Sequence, residues 1–417
     1  MKYLKNKYCY EISLILCGMI WLLMVNFLLQ ISNQTYVFPD SESYLAAAKN
    51  VYLQHKSDAI RPLLIAAING FSLLFSTKID LFYLWNIVLN SVFWIFSIVL
   101  IFNIIAKIRT RKSAFIFSLI YMVSIGSTVL VFHVLSEIIF TFFLIATVYF
   151  IQKFLETKHL KYLAISLSIL ILSVLIKPVS KVLILIMIVL FFFQFIKVLK
   201  SKWVFFIIFC TSLLMAHTVN MKKNYGDFTI TYIDSFTYYN YLGTRADCLK
   251  NGTEFKQCDN KRHTYFNTFS LTESKKVASN DIKEQLSSNT FNFVKAYFIN
   301  VYKNSTGGCG YLGVISNKSN TYYFEKMVLL FKVLSKIQNI AFSILGFSLS
   351  LYFLAKKPRH ITFVKLVAVI TLYIMTLSAI SSDQGDRFHV VIFPLVLILI
   401  AEFRTKKITP ISEPLQK

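Results

Sequence analysis

Long apolar runs recur along this chain and constrain its fold more than any other feature. Several of them exceed the roughly 18 residues that mark a membrane-spanning helix, beginning with residues 12–31. Only 15% of the 417 residues are charged, whereas soluble globular proteins carry about 25%. The first run is longer than a typical signal-peptide core and no small-residue cleavage site follows it, so we expect an uncleaved helix. The sequence therefore predicts an all-α polytopic membrane protein.

The basic residues fall in short clusters between the apolar runs. The formal net charge is +24, but this clustered distribution is typical of the cytoplasmic loops of a membrane protein and does not indicate a nucleic-acid partner. We predict that these clusters lie in the cytoplasm together with both termini. They cover residues 2–7, 107–112, 153–161, 197–202, 356–360 and 404–407.

The apolar runs between these clusters predict about ten membrane spans. One further apolar stretch, residues 61–75, is only about 15 residues long, and no basic cluster follows it. If it crossed the membrane, every later cluster would change sides, so we predict an amphipathic or half-inserted helix on the outer surface. The predicted spans are residues 12–31, 82–106, 113–132, 136–155, 161–177, 181–199, 204–222, 327–355, 361–381 and 389–403.

This topology divides the chain into three parts. Residues 1–222 form an N-terminal bundle whose first outer loop covers 32–81, and residues 327–417 form C-terminal helices with a short outer loop, 382–388, and a cytoplasmic tail. Between them, the large loop, residues 223–326, is expected to fold outside the membrane. A disulfide between Cys248 and Cys258 is expected there if that side is oxidising.

The large loop also contains the sequence "NFVKAYFINVYKN", residues 292–304. Its apolar residues recur at helical spacing, which predicts an amphipathic helix. Two placements are open for this helix. It lies on the membrane, or it packs on the outer ends of the bundle.

Charged residues near the outer surface come from five separate places in the chain and are expected to meet at one face. Ionisable residues at membrane ends are costly and are candidates for function by default. They are Asp40, Glu42, Asp58, Arg61, His133, Glu137, Lys177, Lys181, Asp383, Asp386, Arg387 and His389.

Several of these candidates also have a purely structural interpretation. Asp40 could N-cap a helix that runs from Ser41, with Glu42 in its first turn, although such a position also suits a general base. Glu137 could be a helix-start acid beside an N-cap Ser136. Lysines also extend their charged ends to water at helix termini, and a polar turn can simply be solvated.

Two of the candidate segments carry cations on the side where basic residues are uncommon. Lys177 and Lys181 bracket an outer turn between two helices, against the positive-inside bias, which favours phosphate binding. The stretch "SSDQGDRFHVV", residues 381–391, places Asp386, Arg387 and His389 in one turn. This combination suits an anionic lipid head group.

These pieces, in this order, resemble the GT-C class of membrane glycosyltransferases, which use polyprenyl- or dolichyl-phosphate sugars as donors. The resemblance rests on an Asp-x-Glu pair before "SYLAAAKNVY", on Arg-Pro-Leu-Leu at 61–64, and on "LSEIIFTFFLIATVYF", "LIKPVSKVLIL" and "GDRFHVVIFPLVLILIAEF". Within the class, the chain is similar to the bacterial and phage serotype-converting O-antigen glucosyltransferases. It departs from members with a His-Pro-Pro motif, because it has Arg61-Pro62-Leu63 there.

The resemblance implies an enzyme of the bacterial inner membrane that transfers glucose from undecaprenyl-phosphate glucose onto O-antigen or another surface polysaccharide in the periplasm. By resemblance, Asp40 is the general base for one inverting displacement, Glu42 orients the acceptor or holds a divalent cation, and Glu137 is a second acid. A donor synthase and a flippase would supply the donor. The residues expected to bind substrate are Arg61, Lys177, Lys181, Asp386, Arg387 and His389.

Two alternative functions fit the same composition. An O-antigen polymerase is also polytopic with a large outer loop, but it would give weight to outer arginines and leave Asp40 and Glu42 without a role. A flippase or transporter would place charges near the middle of the membrane and contain inverted repeats with broken helices. The charges in this chain gather at one predicted face, which favours the transferase.

Overall fold

The computed structural model describes residues 8–31, 38–256, 261–314, 322–356, 362–381 and 383–403. Within them the chain forms α-helices joined by short 3-10 and π turns, and these residues contain no strand, which confirms the predicted all-α class. The helices are α1 Cys9–Leu28, α2 Pro39–Leu53, α3 Leu63–Gly70, α4 Ile79–Ile105, α5 Arg111–Met122, α6 Ile125–Leu130, α7 Glu137–Thr157, α8 Leu160–Val174, α9 Ser180–Leu190, α10 Phe192–Leu199, α11 Val204–Tyr225, α12 Ile233–Thr237, α13 Thr244–Asn251, α14 Lys261–Phe266, α15 Leu271–Ser288, α16 Thr290–Thr306, α17 Tyr322–Ala355, α18 Phe363–Leu377 and α19 Phe393–Phe403.

Among the described residues, six helices are long and apolar enough to cross a membrane. They are α1, α4, α7, α11, α17, and α18 extended by its following turn to Ile380. Large apolar side chains on their outer surfaces are exposed, such as Phe27 (76%) and Phe205 (66%). Apolar surface on this scale requires a covering other than water. The protein is therefore a membrane-embedded multi-pass protein, as predicted.

The predicted count of about ten spans is not confirmed, because several predicted spans are short or broken. The predicted span 181–199 bends by 94° between α9 and α10, and the predicted span 113–132 divides into α5 and α6. Helix α8 has only 15 residues, about 22 Å at 1.5 Å per residue, and Pro178 follows it. If α9 and α10 count as one span, the described residues contain up to seven.

The basic clusters that the structure describes meet at one end of the bundle, which we call the basic end. Arg111 at the start of α5 pairs with Glu11 at the start of α1, with 2.8 Å between Nη2 and Oε2. In the turn before α5, Arg109 Nε donates to the carbonyl oxygen of Ala401 near the end of α19, at 2.8 Å. The predicted clusters at 2–7 and 404–407, and most of 356–360, lie outside the described residues.

Helices α2 and α3 pack together at the opposite end, which we call the cavity end. The Tyr52 hydroxyl donates to the Ala67 carbonyl at 2.7 Å, and a Cβ at Gly70 would lie only 2.7 Å from the Ala48 Cβ. Helix α3 is anchored to the bundle because the backbone N–H of Ile65 donates to the Leu175 carbonyl at 3.1 Å. The stretch predicted as a short surface helix thus forms α3 and one 3-10 turn.

In its described residues, the large loop contains helices α12 to α16, which pack around a small core of their own. Tyr238, Leu242, Phe266 and Ala296 are buried in that core. Cys258 lies outside the described residues, so the pairing of Cys248 with Cys258 stays a prediction.

Candidate active site

Asp40 lies in the first turn of α2. The helix begins at Pro39, and its N-cap residue is Phe38, so the predicted capping by Asp40 is wrong. A proline suits the first helical position because its missing N–H has no partner there anyway. The Asp40 carboxylate instead contacts two arginines, with Oδ2 2.7 Å from Arg387 Nη1 and Oδ1 3.3 Å from Arg61 Nη2.

Arg61 is held in place from both sides of the turn that precedes α3. The carboxylate of Asp58 accepts the backbone N–H groups of Ile60 and Arg61 at 2.8 and 2.7 Å, which fixes the turn. The guanidinium donates to Ser43 Oγ at 2.9 Å and lies 4.1 Å from the centre of the Tyr44 ring. Arg61 is thereby directed at the first turn of α2.

Arg387 joins two carboxylates that are far apart in the sequence. Its Nε donates to Glu137 Oε1 at 2.9 Å, while its Nη1 donates to Asp40. Glu137 begins α7 after the N-cap Ser136, as predicted. The same Oε1 accepts from Lys177 Nζ at 3.0 Å. The five side chains Arg61, Asp40, Arg387, Glu137 and Lys177 therefore form one connected group, which we call the ion cluster.

The ion cluster is largely buried, although the Asp40 side chain is 37% exposed, and its charges do not cancel. The exposed fraction is 7% for the Arg387 side chain and 1% for Glu137. Three cations and two carboxylates leave a net charge of +1. Buried charges are tolerated only when they are paired and hydrogen-bonded, because their desolvation is costly. The unbalanced cation therefore makes this group suited to an anionic ligand.

The two arginines also change the acidity of Asp40. Burial alone would raise the pKa of Asp40, but the guanidinium groups of Arg387 and Arg61 outweigh it and hold that pKa below its usual range. A second feature concerns Glu137, whose Oε2 is buried and accepts no hydrogen bond from the described residues. The cluster thus contains an ionised aspartate and a carboxylate oxygen suited to a hydrogen-bond donor.

All five members of the ion cluster line a cavity of about 720 Å³. This volume lies within the 300–1,000 Å³ typical of ligand sites. The rest of the lining is largely apolar and aromatic, and much of it comes from the large loop. The aromatic residues that line it are Tyr44, Phe140, Phe236, Tyr238, Tyr241, Phe293, Tyr297, Tyr373 and Phe388.

Lys181 lines the same cavity but does not join the ion cluster. Its Nζ lies 2.5 Å from Asp234 Oδ2, and both side chains are about half exposed. The pair connects the start of α9 to α12 of the large loop. The two lysines that the sequence placed on one turn therefore have different surroundings, since Lys177 is buried against Glu137.

Glu42 and Asp386 were predicted site residues, and neither lines the cavity. Glu42 is exposed. Asp386 is buried behind Arg387, where it accepts a hydrogen bond from Ser335 Oγ through Oδ2. Its Oδ1 is buried and has no hydrogen-bond partner among the described residues. Burial raises the pKa of Asp386 to about 7.

His389 is the third predicted site residue that does not line the cavity. Its Nδ1 lies 2.8 Å from Ser343 Oγ, and its Nε2 lies 3.1 Å from Ser378 Oγ. The buried imidazole connects α17 to the turn after α18. These contacts give His389 a packing role next to the site.

Other cavity residues did not emerge from the sequence. Gln384 accepts a hydrogen bond from Arg387 Nη1 at 3.2 Å, although it belongs to the same predicted polar turn. Asp234 was missed because nothing in the sequence links it to Lys181. In the large loop, Tyr238 and Tyr241 line the cavity, whereas Tyr239 stacks on Phe266 in the core of the loop.

The site does not fit a divalent cation. Among the described residues, no three His, Cys, Asp or Glu side chains come together in a way that would hold a metal ion. The two cavity carboxylates, Asp40 and Glu137, are already paired with cationic side chains. Since Glu42 is exposed outside the cavity, the prediction that it holds a metal gains no support from the geometry.

Comparisons with protein family models, with curated proteins and with solved structures found no match. The site must therefore be interpreted through its own chemistry. It offers one net positive charge, two carboxylates and aromatic walls, at the end of a membrane-embedded bundle. These features suit a ligand that has an anionic group, hydroxyl groups and an apolar part.

Proposed function

We propose that the protein is a membrane glycosyltransferase that moves a sugar from an undecaprenyl-phosphate-sugar donor onto O-antigen or another bacterial surface polysaccharide. The reaction is an inverting hexosyl transfer with a carboxylate as general base, and glucose is the sugar that the family resemblance suggests. The observation that carries the proposal is the buried ion cluster, with its excess positive charge, on a cavity at one end of the bundle.

The chemistry of the donor matches the cavity in two respects. A phosphodiester has one negative charge, equal in size to the net charge of +1 on the ion cluster. Guanidinium groups bind phosphate oxygens through paired, charge-assisted hydrogen bonds, which favours Arg61 and Arg387 as the phosphate ligands. The aromatic walls provide flat apolar surfaces for a sugar ring and the lipid next to it.

The same arrangement suggests how donor binding activates the base. With Arg387 and Arg61 on its oxygens, Asp40 has a lowered pKa and is a weak base. When a phosphodiester takes over those arginines, Asp40 loses part of its neutralisation and its pKa rises. Asp40 then accepts the proton of the acceptor hydroxyl, whose oxygen forms the new bond to the anomeric carbon.

The bond that breaks joins the anomeric carbon to the phosphate oxygen, and its electron pair leaves with the lipid phosphate. Arg387 and Lys177 are placed to stabilise the charge that develops on this leaving group. Phosphate is already a good leaving group, so no strong general acid is required. Glu137 keeps Arg387 and Lys177 in position through their shared contacts with its Oε1.

The orientation in the membrane forms part of this proposal. The positive-inside rule assigns the basic end to the cytoplasm of a bacterial inner membrane, and hence the cavity to the periplasm. An alkaline phosphatase fusion after Ser57 should then be active, and one after Arg109 inactive. The reverse pattern would overturn the topology. A donor made in the cytoplasm would also require a donor synthase and a flippase as partners.

Donor binding tests the phosphate role directly. We expect Lys177→Ala to weaken binding of radiolabelled undecaprenyl-phosphate glucose to the protein in nanodiscs by about tenfold, equivalent to about 1.4 kcal/mol. The KM for the acceptor should change little. Lys181→Ala is the matched control, because Lys181 lies on the same turn but pairs with Asp234 outside the ion cluster. A defect confined to the acceptor would refute the phosphate role.

A further inference from the structure

Helix α16 presents its apolar side outward. Phe291, Val294, Phe298 and Tyr302 follow one another at spacings of three and four residues, so they lie on one face of the helix. Their exposed fractions are 79%, 45%, 64% and 68%. On the surface of a soluble protein, the apolar face of a helix is buried and its polar face meets water. Helix α16 shows the reverse arrangement.

The polar side of α16 is fixed to the bundle. Asn300 Nδ2 donates to the Ala379 carbonyl at 2.8 Å, and Asn304 Nδ2 donates to the carbonyls of Ser378 and Ser381 at 2.8 and 3.2 Å. Both asparagines are fully buried. They satisfy carbonyl groups that the end of α18 leaves without helical partners. If the helix were rotated so that its apolar face pointed inward, these carbonyls would lose their hydrogen-bond donors.

The position of α16 coincides with the end of a membrane span. The Tyr297 hydroxyl donates to the Thr376 carbonyl in the last turn of α18 at 2.9 Å, and Asn339 Nδ2 of α17 donates to the Asn304 carbonyl at 2.7 Å. The exposed aromatic row is therefore close to where apolar bundle surface meets the polar large loop. If the bilayer covers the span α18, its surface lies at the level of this aromatic row.

The charges beside the row fit a lipid surface. Lys295 is exposed on the same helix, and Lys303 is half exposed, with its Nζ 3.4 Å from Asp383 Oδ1. Lysines flanking an aromatic and aliphatic face are typical of helices that lie in the membrane interface, where the ammonium groups reach the anionic head groups. Tyrosine is also enriched at the membrane interface, and Tyr302 belongs to this row.

We propose that α16 lies in the interface of the bilayer that the protein spans, with Phe291, Val294, Phe298 and Tyr302 inserted toward the acyl chains. Phe293 and Tyr297 of the same helix line the cavity. The bilayer thus holds one wall of the cavity at the membrane surface. This proposal concerns where that wall is held, and it stands whatever reaction the cavity serves.

Photo-crosslinking of the full chain tests this placement. Phe298 is replaced by p-benzoylphenylalanine, which keeps an aromatic ring, and the protein is irradiated in nanodiscs of phosphatidylethanolamine and phosphatidylglycerol. The lipid-facing control is the same replacement at Phe209 of α11, which is 54% exposed on a predicted span. The water-facing control is Glu284 of α15, an exposed residue of the same large loop.

Mass spectrometry should find lipid adducts at position 298 at a yield close to that at 209 and several-fold above that at 284. A yield at 298 no higher than at 284 would show that the row faces water and would overturn the proposal. A covalent dimer from position 298 would instead assign the row to a second copy of this chain and would also overturn it. Circular dichroism and elution volume confirm that each variant is folded.

Discussion

At the basic end of the bundle, Arg111 and Glu11 pair at 2.8 Å while the arginine side chain stays 42% exposed. At the cavity end, Arg387 and Glu137 pair at 2.9 Å, and the two side chains are only 7% and 1% exposed. The two distances are almost equal, so distance alone does not separate these pairs. Burial does, because an exposed pair contributes about 0–1 kcal/mol, whereas breaking a buried one costs about 3–5 kcal/mol.

The comparison shows that the two ends use their cations differently. The basic end has many lysines and arginines in exposed clusters, and their combined charge sets the orientation, so no single one is essential. The cavity end has few cations, and those of the ion cluster are each fixed by named partners. Single substitutions should therefore matter at the cavity end and have little effect at the basic end.

The largest effect is expected for Arg387→Ala. This change removes the partner that Asp40 and Glu137 share, and it leaves both carboxylates with one cation each. We expect the free energy of unfolding to fall by about 3–5 kcal/mol and sugar transfer to fall by about 10²-fold or more. Thermal unfolding in nanodiscs and a transfer assay measure the two effects.

Arg387→Lys serves as the control, because it keeps the charge but loses the planar fork that reaches both carboxylates. It should give an intermediate loss in both assays. Wild-type stability and activity in Arg387→Ala would contradict the structural and catalytic roles assigned to the ion cluster.

A smaller effect, on the pH dependence of the rate, is expected for Arg61→Gln. Arg61 helps to hold the pKa of Asp40 down, so its removal raises that pKa. Since Asp40 must be ionised to act as base, the variant should lose activity at a higher pH than the wild type does as the pH is lowered. The acidic limb is read from kcat/KM for the donor between about pH 4 and pH 8, because this ratio reports the free enzyme.

Lys181→Gln is the matched control for this profile, because it removes a cation from the same cavity outside the ion cluster. Its acidic limb should stay at the wild-type position. If the acidic limb of Arg61→Gln stays in place or moves to lower pH, Arg61 does not lower the pKa of the catalytic base.

The next effect concerns stability and comes from Asp386. Burial raises the pKa of Asp386 to about 7, above the value of about 3.9 for an unfolded aspartate. Its contribution is therefore present below about pH 4 and is lost as the pH rises through about 7. The melting temperature of the wild type should fall between about pH 4 and pH 7, and it should fall less in Asp386→Asn. Equal slopes in the two proteins would mean that Asp386 is not the titrating group.

The smallest effect is expected for Arg111→Ala at the basic end. The substitution removes an exposed pair with Glu11, so the free energy of unfolding should change by no more than about 1 kcal/mol. Sugar transfer should stay at the wild-type rate. The same two assays as for Arg387→Ala apply. A loss as large as that of Arg387→Ala would remove the distinction between the two ends.

The sequence was most informative for features that depend on the length of apolar runs and on the position of charged residues along the chain. It predicted the all-α membrane class from apolar runs, and it selected the five members of the ion cluster from separate segments. It also placed Glu42 in the site together with Asp40. Two residues along a helix correspond to a rotation of about 200°, so residues i and i+2 do not share a face. The spacing alone indicates that Glu42 and Asp40 lie on different faces of α2.

Other features depend on tertiary contacts that no short stretch encodes. The 94° bend between α9 and α10 occurs where residues 180–199 contain neither proline nor glycine. Helix α16 was predicted to be amphipathic, but amphipathicity does not say which face meets the protein. The buried asparagines Asn300 and Asn304 decide that, because the carbonyls they satisfy belong to the end of another helix.

The most direct test of the central claim is sugar transfer in membranes that contain the wild type or Asp40→Asn at equal levels. Radiolabelled undecaprenyl-phosphate glucose and lipid-linked O-antigen serve as substrates. We predict that label reaches the polysaccharide with the wild type and that the variant loses about 10²-fold or more of the rate. Equal transfer by both proteins would contradict the role of Asp40. Absence of transfer by the wild type, with glucose and with other sugars, would contradict the glycosyltransferase assignment and favour a transporter.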